Sequence, residues 1–340
     1  MATILGIEST CDETAAAVVV DGYQVCSNVV ASQVELHAKY RGVVPEIASR
    51  AHIQNILPVL REALEQAQRP LEQVDAIAVA NRPGLIGSLL IGVTAAKALA
   101  LAVGKPLIGV DHVHAHLYSV MLERNVVPAM PAVGLVVSGG HTALYDLKSL
   151  TEVALIGWTI DDAVGEAYDK VAAILGLGYP GGPVIDGLAA RGNAEAIRFP
   201  RTLLGRESLD FSFSGLKTAV LYHVRGYQGR QRSVEALSPQ EVADIAASFQ
   251  AACIEVIVRK VRRAVARTGG KSVVIGGGVS ANLGLRQAFT QLELPVHFPA
   301  PAYCTDNAAM TAGLAQQHFQ SAQFAGLDLD AITFSQFRPI

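Results

Sequence analysis

Residues 131–147 read PAVGLVVSGGHTALYDL, and residues 3–20 read TILGIESTCDETAAAVVV. In the later stretch an apolar run ends at Ser138, turns through Gly-Gly-His and resumes at Thr142. In the earlier stretch an apolar run ends at Ser9 and turns through Thr-Cys-Asp-Glu. Apolar runs joined by short polar turns predict strand–turn–strand units. One such unit in each half predicts two related domains whose polar turns meet a ligand from opposite sides of a cleft.

The chain between and around these units alternates β-branched runs with longer helical patterns, which is typical of an α/β protein. Strands are predicted over residues 74–80 and 106–110, and helices over residues 45–67, 84–103 and 111–120.

A third motif, KSVVIGGGVSANLGLRQAF at residues 271–289, joins an apolar strand to a helix through a glycine-rich turn. Such a turn lets a ligand approach the backbone, and the helix N-terminus favours an anion. The motif matches neither GxGxxG nor GxxxxGK[ST], so dehydrogenases and P-loop NTPases lose their specific support.

Composition narrows the function classes. The chain is 51% hydrophobic with a net charge of −3, so contact with nucleic acid would have to use local basic patches. Its four cysteines lack CxxC spacing, which argues against a disulfide framework and fits a reducing cytoplasm.

The N-terminus has no basic region typical of a signal peptide. Polar residues interrupt the apolar stretch 84–103, which we interpret as a buried helix and not a membrane span.

Three of the nine histidines lie in DHVHAHLYSV, residues 111–120. On a helix His112 and His116 share one face while His114 points almost the opposite way, so the first and last can offer two imidazoles to one metal ion. A zinc protease of the HExxH type needs glutamate after the first histidine, and Val113 stands there. Spacing alone leaves a metal pair and a pair of structural histidines equally open.

A third ligand has to come from elsewhere, and Asp306 in YCTDNAAMTAGLAQQ is a candidate. It stands just ahead of an alanine-rich helical run, where an acid can instead cap the helix or stabilise its dipole. A carboxylate beside two imidazoles would complete a donor set suited to Fe(II) or Zn(II), with open positions for a substrate oxygen.

Nine blocks occur in order along nearly the whole chain. They are GIESTCDETA, GVVPEIASRAH, the HxxxH segment, VSGGHT, DDAVGEAYDKVA, GYPGGP, FSFSGLKTAV, GGGVSAN and TDNAAM. In this combination the chain resembles the bacterial tRNA N6-adenosine threonylcarbamoyltransferase (TsaD) family. The resemblance implies a two-domain α/β actin-like ATPase (ASKHA) fold, with duplicated βαβ-type domains facing a central cleft. It also implies transfer of a threonylcarbamoyl group from threonylcarbamoyl-AMP to N6 of the adenosine next to the anticodon, in tRNAs that read codons beginning with adenine.

The resemblance assigns site residues by position. Metal ligands fall on His112, His116 and Asp306, with Fe(II) as the usual metal and Zn(II) as the alternative. Substrate contacts fall on a larger set, namely Val136, Val137, Ser138, Gly139, Gly140, Asp169, Gly182, Asp186 and Asn282. Asp12 and Glu13 in the first turn are candidate catalytic assistants, and their alternative role is to cap or orient that turn.

The histidine block departs from the family's most familiar form, which has Glu-Gly where this chain has His114-Ala115 and often has histidine in place of Asp111. Both ligand positions are kept, so the metal assignment stands, and His114 is interpreted as a bystander that can hydrogen-bond to a ligand. Three alternatives stay open: a metallopeptidase, an ATP-dependent small-molecule kinase of the same fold, and a non-catalytic scaffold.

Domains and partners follow from the same resemblance. We expect an N-terminal domain over residues 1–131, with a C-terminal helix of about residues 320–340 packing back on it, and a C-terminal domain over residues 132–319. The expected partners are tRNA, the shortened relative TsaB on the helices of residues 45–68 and 84–103, and the ATPase TsaE. A cytoplasmic location without membrane contact is expected, as is a homodimer when TsaB is absent.

Overall fold

The chain folds into two compact units. The computed structural model describes residues 1–40, 42–124, 126–226 and 234–335. The first unit comprises Met1–Val127 together with Pro299–Ile340, and the second comprises Pro128–Phe298. Each unit contains a five-stranded sheet and a hydrophobic core of its own.

The sheet of the first unit is mixed. Its strands are β1 (Thr3–Glu8), β2 (Glu13–Val20), β3 (Gln24–Ser32), β4 (Ala76–Arg82) and β5 (Leu107–Asp111). They lie in the order β3-β2-β1-β4-β5, with β1-β2 and β2-β3 antiparallel and β1-β4 and β4-β5 parallel. Every residue of the central strand β1 is buried, which explains the apolar run over its residues 4–7.

The sheet of the second unit repeats this plan. Its strands are β6 (Ala132–Val137), β7 (Thr142–Leu147), β8 (Val153–Trp158), β9 (Ser272–Gly276) and β10 (Val296–His297). Their order is β8-β7-β6-β9-β10, again with two antiparallel pairs on one side of the central strand and two parallel pairs on the other. The duplication predicted from the two strand–turn–strand units is confirmed, since both the order and the directions of the strands match.

Helices cover these sheets. They are α1 (Val34–Ala38), α2 (Pro45–Gln66), α3 (Ile86–Val103), α4 (His112–Tyr118), α5 (Val164–Ile174), α6 (Gly181–Ala189), α7 (Ser214–Arg225), α8 (Pro239–Thr268), α9 (Leu283–Phe289) and α10 (Ala308–Gln320). The strands and helices predicted above are therefore confirmed to within a few residues. Helix α3 is long and apolar enough to cross a membrane by length and composition, but one of its faces, which includes Leu89 and Val93, packs into the first core.

The structure corrects the expected domain boundary. Helix α10 was expected in the C-terminal domain of residues 132–319, but it lies in the first unit. Its residues Ala308–Gln316 are all buried, and it packs on β1 and β2. Gly6 of β1 permits this close approach, because a Cβ at that position would lie 2.5 Å from the backbone oxygen of Ala308. An alanine-rich helix without a polar face needs such a buried place.

The expected C-terminal helix over residues 320–340 is wrong for the described part of that segment. Helix α10 ends at Gln320, and residues 321–335 form no helix. They do pack on the first unit, because the backbone of Ala325 bonds to Leu107 of β5 and that of Ile332 bonds to Asn81 of β4. An irregular segment that bonds to the edge strand β5 and to the end of β4 satisfies part of its backbone without helical hydrogen bonds. Residues 336–340 lie outside the described part of the chain.

Candidate functional site

The histidine segment begins its helix directly at the end of strand β5. Asp111 is the N-cap of α4, and its side chain accepts hydrogen bonds from the backbone N–H groups of Val113, at 3.0 Å, and His114, at 3.2 Å. Carboxylates are favoured caps because they satisfy amides that have no partner within the helix. The cap makes His112 the first helical residue, and His116 follows one turn later on the same face.

Asp306 lies beside these two histidines. Its Oδ1 is 3.1 Å from Nε2 of His116 and 3.7 Å from Nε2 of His112, and the three donor atoms lie within 4.8 Å of one another. The side-chain cap of α10 is the next residue, Asn307, whose Oδ1 accepts from the N–H of Met310 at 3.0 Å. The structure thus brings the three expected metal ligands together and gives the capping role to Asn307.

The chemistry of this group fits a divalent metal ion. His116 is fully buried, and within the described part of the chain neither of its ring nitrogens makes a hydrogen bond, although the Asp306 carboxylate lies 3.1 Å from Nε2. Buried polar atoms without a partner are costly, and an ion that accepts a lone pair from Nε2 would remove part of that cost. Two imidazoles and one carboxylate are the donor set of non-haem Fe(II) centres and are equally suited to zinc.

The local electrostatics also favour a cation. Burial alone lowers the pKa of the His112 imidazole, but the carboxylates of Glu8 and Asp306 outweigh burial and raise the pKa to about 9. Burial, with repulsion from the Asp306 and Asp12 carboxylates, raises the pKa of Glu13 to about 9 as well. Several carboxylates therefore crowd this corner of the first unit.

Asp12 and Glu13 lie in the turn that precedes β2. Both are half-buried, and Glu13 accepts a hydrogen bond at 3.2 Å from the hydroxyl of Ser32 on β3. The backbone oxygen of Asp12 accepts from the N–H of Gln33 at 3.1 Å. His114 is buried and lies outside the group formed by His112, His116 and Asp306.

The equivalent turn of the second unit contains two glycines and no acidic residue. Ser138 closes it, because its N–H bonds to the His141 carbonyl at 2.8 Å and its hydroxyl accepts from the His141 N–H at 3.0 Å. Gly139 and Gly140 are exposed at the tip, and a Cβ on either would meet no atom within 4 Å. Backbone amides in such a turn are open to an anionic ligand.

The other expected substrate residues occupy several places in the second unit. The side chains of Val136 and Val137 are fully buried in β6, so a ligand could contact only their backbone. Asp169 on α5 accepts from the N–H of Gly181, at the start of α6, at 2.7 Å. Gly182 follows, with open space where a Cβ would be.

Asp186 and Asn282 are joined through a residue that sequence reasoning missed. The side-chain amide of Gln250, on α8, donates to Oδ1 of Asp186 at 2.8 Å, and its oxygen accepts from Nδ2 of Asn282 at 2.8 Å. Tyr168 also donates to that oxygen, at 3.3 Å. The available signal was a buried polar residue among Ala, Phe and Cys on an otherwise apolar helix face.

Glu8 and Thr311 were missed as well. Glu8 is the last residue of β1 and is fully buried, and its Oε2 lies 3.0 Å from Nδ1 of His112. Thr311, on α10, donates to the same oxygen at 3.3 Å. An acidic residue at the end of an otherwise apolar strand, GIE, was the available signal for Glu8.

Comparisons with known proteins show the family of this chain. The family model described as TsaD, tRNA N6-adenosine threonylcarbamoyltransferase, matches residues 24–313. A protein of that name from Geotalea uraniireducens is 49% identical over 333 residues, covering 97% of this chain and 95% of its own length. The protein of the same name from Moorella thermoacetica is 52% identical over 335 residues, with coverage of 97% and 95%.

Solved structures of distant proteins share the fold. HypF of T. kodakarensis aligns with a TM-score of 0.62 at 17% identity, covering 95% of this chain and 48% of its own. Component A of the (R)-2-hydroxyglutaryl-CoA dehydratase of Acidaminococcus fermentans aligns with a TM-score of 0.55 at 15% identity, covering 95% and 100%. Together with the duplicated sheets, these likenesses identify the actin-like ATPase fold.

Proposed function

The chain belongs to the tRNA N6-adenosine threonylcarbamoyltransferase family, and from that premise we propose that His112, His116 and Asp306 hold a divalent metal ion for its reaction. Fe(II) is the metal we propose, with Zn(II) as the alternative, because the donor set suits both. Such an ion would supply Lewis-acid stabilisation of negative charge that develops on a substrate oxygen.

The enzyme is an acyltransferase that modifies tRNA, transferring a threonylcarbamoyl group to N6 of adenosine. The observation that carries this activity is the 49% to 52% identity with enzymes of that name over nearly their whole length. A metallopeptidase and a small-molecule kinase are not favoured, because the family model and these relatives all carry the transferase name. The residue after His112 is moreover valine, not the glutamate of zincins.

We propose threonylcarbamoyl-AMP as the donor, held by the second unit. The exposed glycine turn at Gly139 and Gly140 suits its phosphate, because oriented backbone N–H groups bind anions. Asp186 and Asn282 suit its adenosine, since Gln250 fixes both side chains before a ligand arrives. The proposed substrate set is completed by Val136, Val137, Ser138, Asp169 and Gly182.

Asp12 and Glu13 are proposed to assist catalysis from the first unit. Adenine N6 is a weak nucleophile, so orientation of the acceptor and stabilisation of the leaving group contribute more than a strong base. A carboxyl group of raised pKa, such as that of Glu13, can donate or share a proton with a reacting group near neutral pH.

The proposed partners are tRNA, TsaB and TsaE, and the proposed location is the cytoplasm. Apolar side chains on α2 and α3 support a protein interface there: Ile53 and Leu57 are 64% and 66% exposed, and Ile86 and Leu90 are 49% and 46% exposed. Within each pair the residues are four apart and share a helix face. Exposed apolar groups of this kind mark docking surfaces, and a homodimer through them is proposed when TsaB is absent.

Reconstitution with tRNA and preformed threonylcarbamoyl-AMP, with metal analysis of the same sample, tests substrate and metal together. We expect threonylcarbamoyladenosine in the tRNA and about one divalent ion per chain. Modified tRNA from protein stripped of metal would contradict the metal centre and leave the activity standing. Metal-dependent cleavage of peptides without tRNA modification would contradict the activity.

A further inference from the structure

We propose that Glu8 is a positioning residue that holds the His112 ring in the tautomer able to bind a metal ion. The inference rests on the metal centre proposed above and extends it to a residue outside the ligand set. Glu8 ends strand β1, is fully buried, and places Oε2 3.0 Å from Nδ1 of His112.

The Glu8 carboxylate is itself held in place. Its Oε1 accepts a hydrogen bond from the backbone N–H of Thr10 at 2.8 Å. Its Oε2 accepts from the Thr311 hydroxyl at 3.3 Å, in addition to facing His112. The Thr10 hydroxyl lies 3.3 Å from the same ring nitrogen, Nδ1. Each carboxylate oxygen therefore has a protein partner, and the group has a single orientation.

This arrangement selects one tautomer of His112. Nε2 of the ring faces Asp306, so a metal ion in the group would need the lone pair of Nε2. A neutral imidazole then carries its hydrogen on Nδ1, and a carboxylate that can only accept hydrogen bonds favours that form. Among the residues that the structure describes, His116 has no comparable partner, because its Nδ1 makes no hydrogen bond there. The two histidines thus differ in how firmly they are oriented.

The duplicated sheet argues that Glu8 is not required for folding. The last residue of the matching central strand, β6, is Val137, which is equally buried. An apolar side chain therefore fits at the equivalent position of the second sheet. A buried carboxylate costs free energy unless it is paired, so its presence in the first unit only is explained by the ring that it orients.

Substitution of Glu8 by glutamine gives a sharp test. The N–H of Thr10 still requires an oxygen acceptor, so the new amide has to direct its NH2 group toward Nδ1 of His112. That NH2 would donate to Nδ1 and move the ring hydrogen to Nε2, where it blocks metal binding. We expect Glu8→Gln to bind Co²⁺ about 10- to 100-fold more weakly than the unmodified protein, the range typical of such ligand-orienting partners.

Ser9→Ala is the matched control. Ser9 is the neighbouring buried residue, and its hydroxyl donates to the Ser88 carbonyl at 2.9 Å without contacting His112. We expect its Co²⁺ affinity to stay within about twofold of the parent, since no ligand is reoriented. Affinity is measured by titration of the visible Co²⁺ absorption, after circular dichroism has verified that each variant is folded.

The outcomes separate the two proposals. Equal Co²⁺ affinity of the parent and His112→Ala would contradict the metal centre itself. A parent that binds tightly, with a folded Glu8→Gln variant within about threefold of it, would contradict only the role of Glu8. If Glu8→Gln does not fold, ¹⁵N NMR of the Zn²⁺-loaded parent decides: a proton on Nδ1 of His112 supports the role, and a metal-bound or deprotonated Nδ1 overturns it.

Discussion

The first hairpins of the two units occupy the same place in the same sheet plan, yet their turns are built differently. In the first unit a Cβ at Gly84 would lie 2.5 Å from the backbone oxygen of Thr10, and one at Gly92 would collide with the Ser9 hydroxyl. In the second unit a Cβ at Gly165 would likewise lie 2.6 Å from the backbone oxygen of Ser138, but the tip residues Gly139 and Gly140 face open space. The tip of the first turn carries the half-buried side chains of Asp12 and Glu13, whereas the tip of the second turn is two exposed glycines that can present their backbone to an anionic ligand. The two units share one sheet plan, and we propose that their turns serve different parts of the reaction.

The largest expected effect concerns the proposed metal ligands of the first unit. His112→Ala and His116→Ala should each lower threonylcarbamoylation by at least about 1000-fold, because loss of a ligand removes the several kcal/mol that a metal ion supplies to a transition state. Modified nucleoside in tRNA is measured by mass spectrometry. His114→Ala, outside the group, is the control and should retain most of the activity. Near-normal activity in both His112→Ala and His116→Ala would contradict the metal role proposed for the first unit.

The pH dependence of stability should come from the first unit. The pKa of His112 is raised from 6.5 to about 9 because the Glu8 and Asp306 carboxylates outweigh burial. A raised pKa stabilises the fold fully below pH 6.5, and this contribution is lost as the pH rises through about 9, for a total of about 3 kcal/mol.

Thermal midpoints of the metal-free protein, measured between about pH 6 and pH 10, test this prediction. The decline should be weaker but still present in His112→Ala, because that variant has no titrating ring at position 112 while Glu13, whose pKa is also raised to about 9, still contributes. It should also be weaker with Zn²⁺ bound, since the metal ion displaces the proton. An unchanged decline in His112→Ala would assign the titration to another group.

Alanine substitution of glycine should separate the two turns directly. Gly84→Ala should cost about 2 kcal/mol of unfolding free energy, because its Cβ meets rigid backbone. Gly139→Ala should change stability by less than about 0.5 kcal/mol, because its Cβ enters open space. Urea denaturation measures both. Equal costs would show that position 139 is packed as closely as position 84.

The smallest expected effect concerns the preformed contacts of the second unit. Gln250→Leu removes the amide that joins Asp186 to Asn282, so binding of an adenylate analogue should weaken about tenfold. Gln240→Ala is the control on the same helix, because Gln240 is exposed and bonds only to Asp244 among the described residues. Calorimetric titration measures both variants. Unchanged affinity in Gln250→Leu would mean that the two side chains need no preorganisation.

Much of the fold could be predicted from the sequence because its signals are local. The repeated hairpins follow from β-branched runs and polar turns, and the shared face of His112 and His116 follows from helical periodicity. The tail could not be predicted in this way. Residues 321–335 are held by strands that are distant in sequence, for example by the bond from the Asn81 side chain on β4 to the Asp330 carbonyl, and not by helical neighbours.

The functional site could be predicted from the sequence only in part, for the same physical reason. The sequence left Asp306 open between a cap and a ligand, and only the folded chain shows that Asn307 is the cap. Glu8 and Gln250 act on partners 104 and 32 or more residues away, so their roles depend on tertiary contacts that no local pattern encodes.

The first unit is built from two segments that are far apart in the chain, and this has a consequence for how the protein is made. Ribosomes deliver the chain from its N-terminus, and residues 128–298 emerge between α4 and Asp306. The histidines are therefore exposed to the cell before their carboxylate partner exists, and the centre closes only after the last helix has arrived. The closing residues include the irregular segment 321–335, whose Ser335 bonds, at 2.7 Å, to Asp111, the cap of the histidine helix. The proposed metal ion could therefore gain all three of its ligands only after nearly the entire polypeptide has been translated.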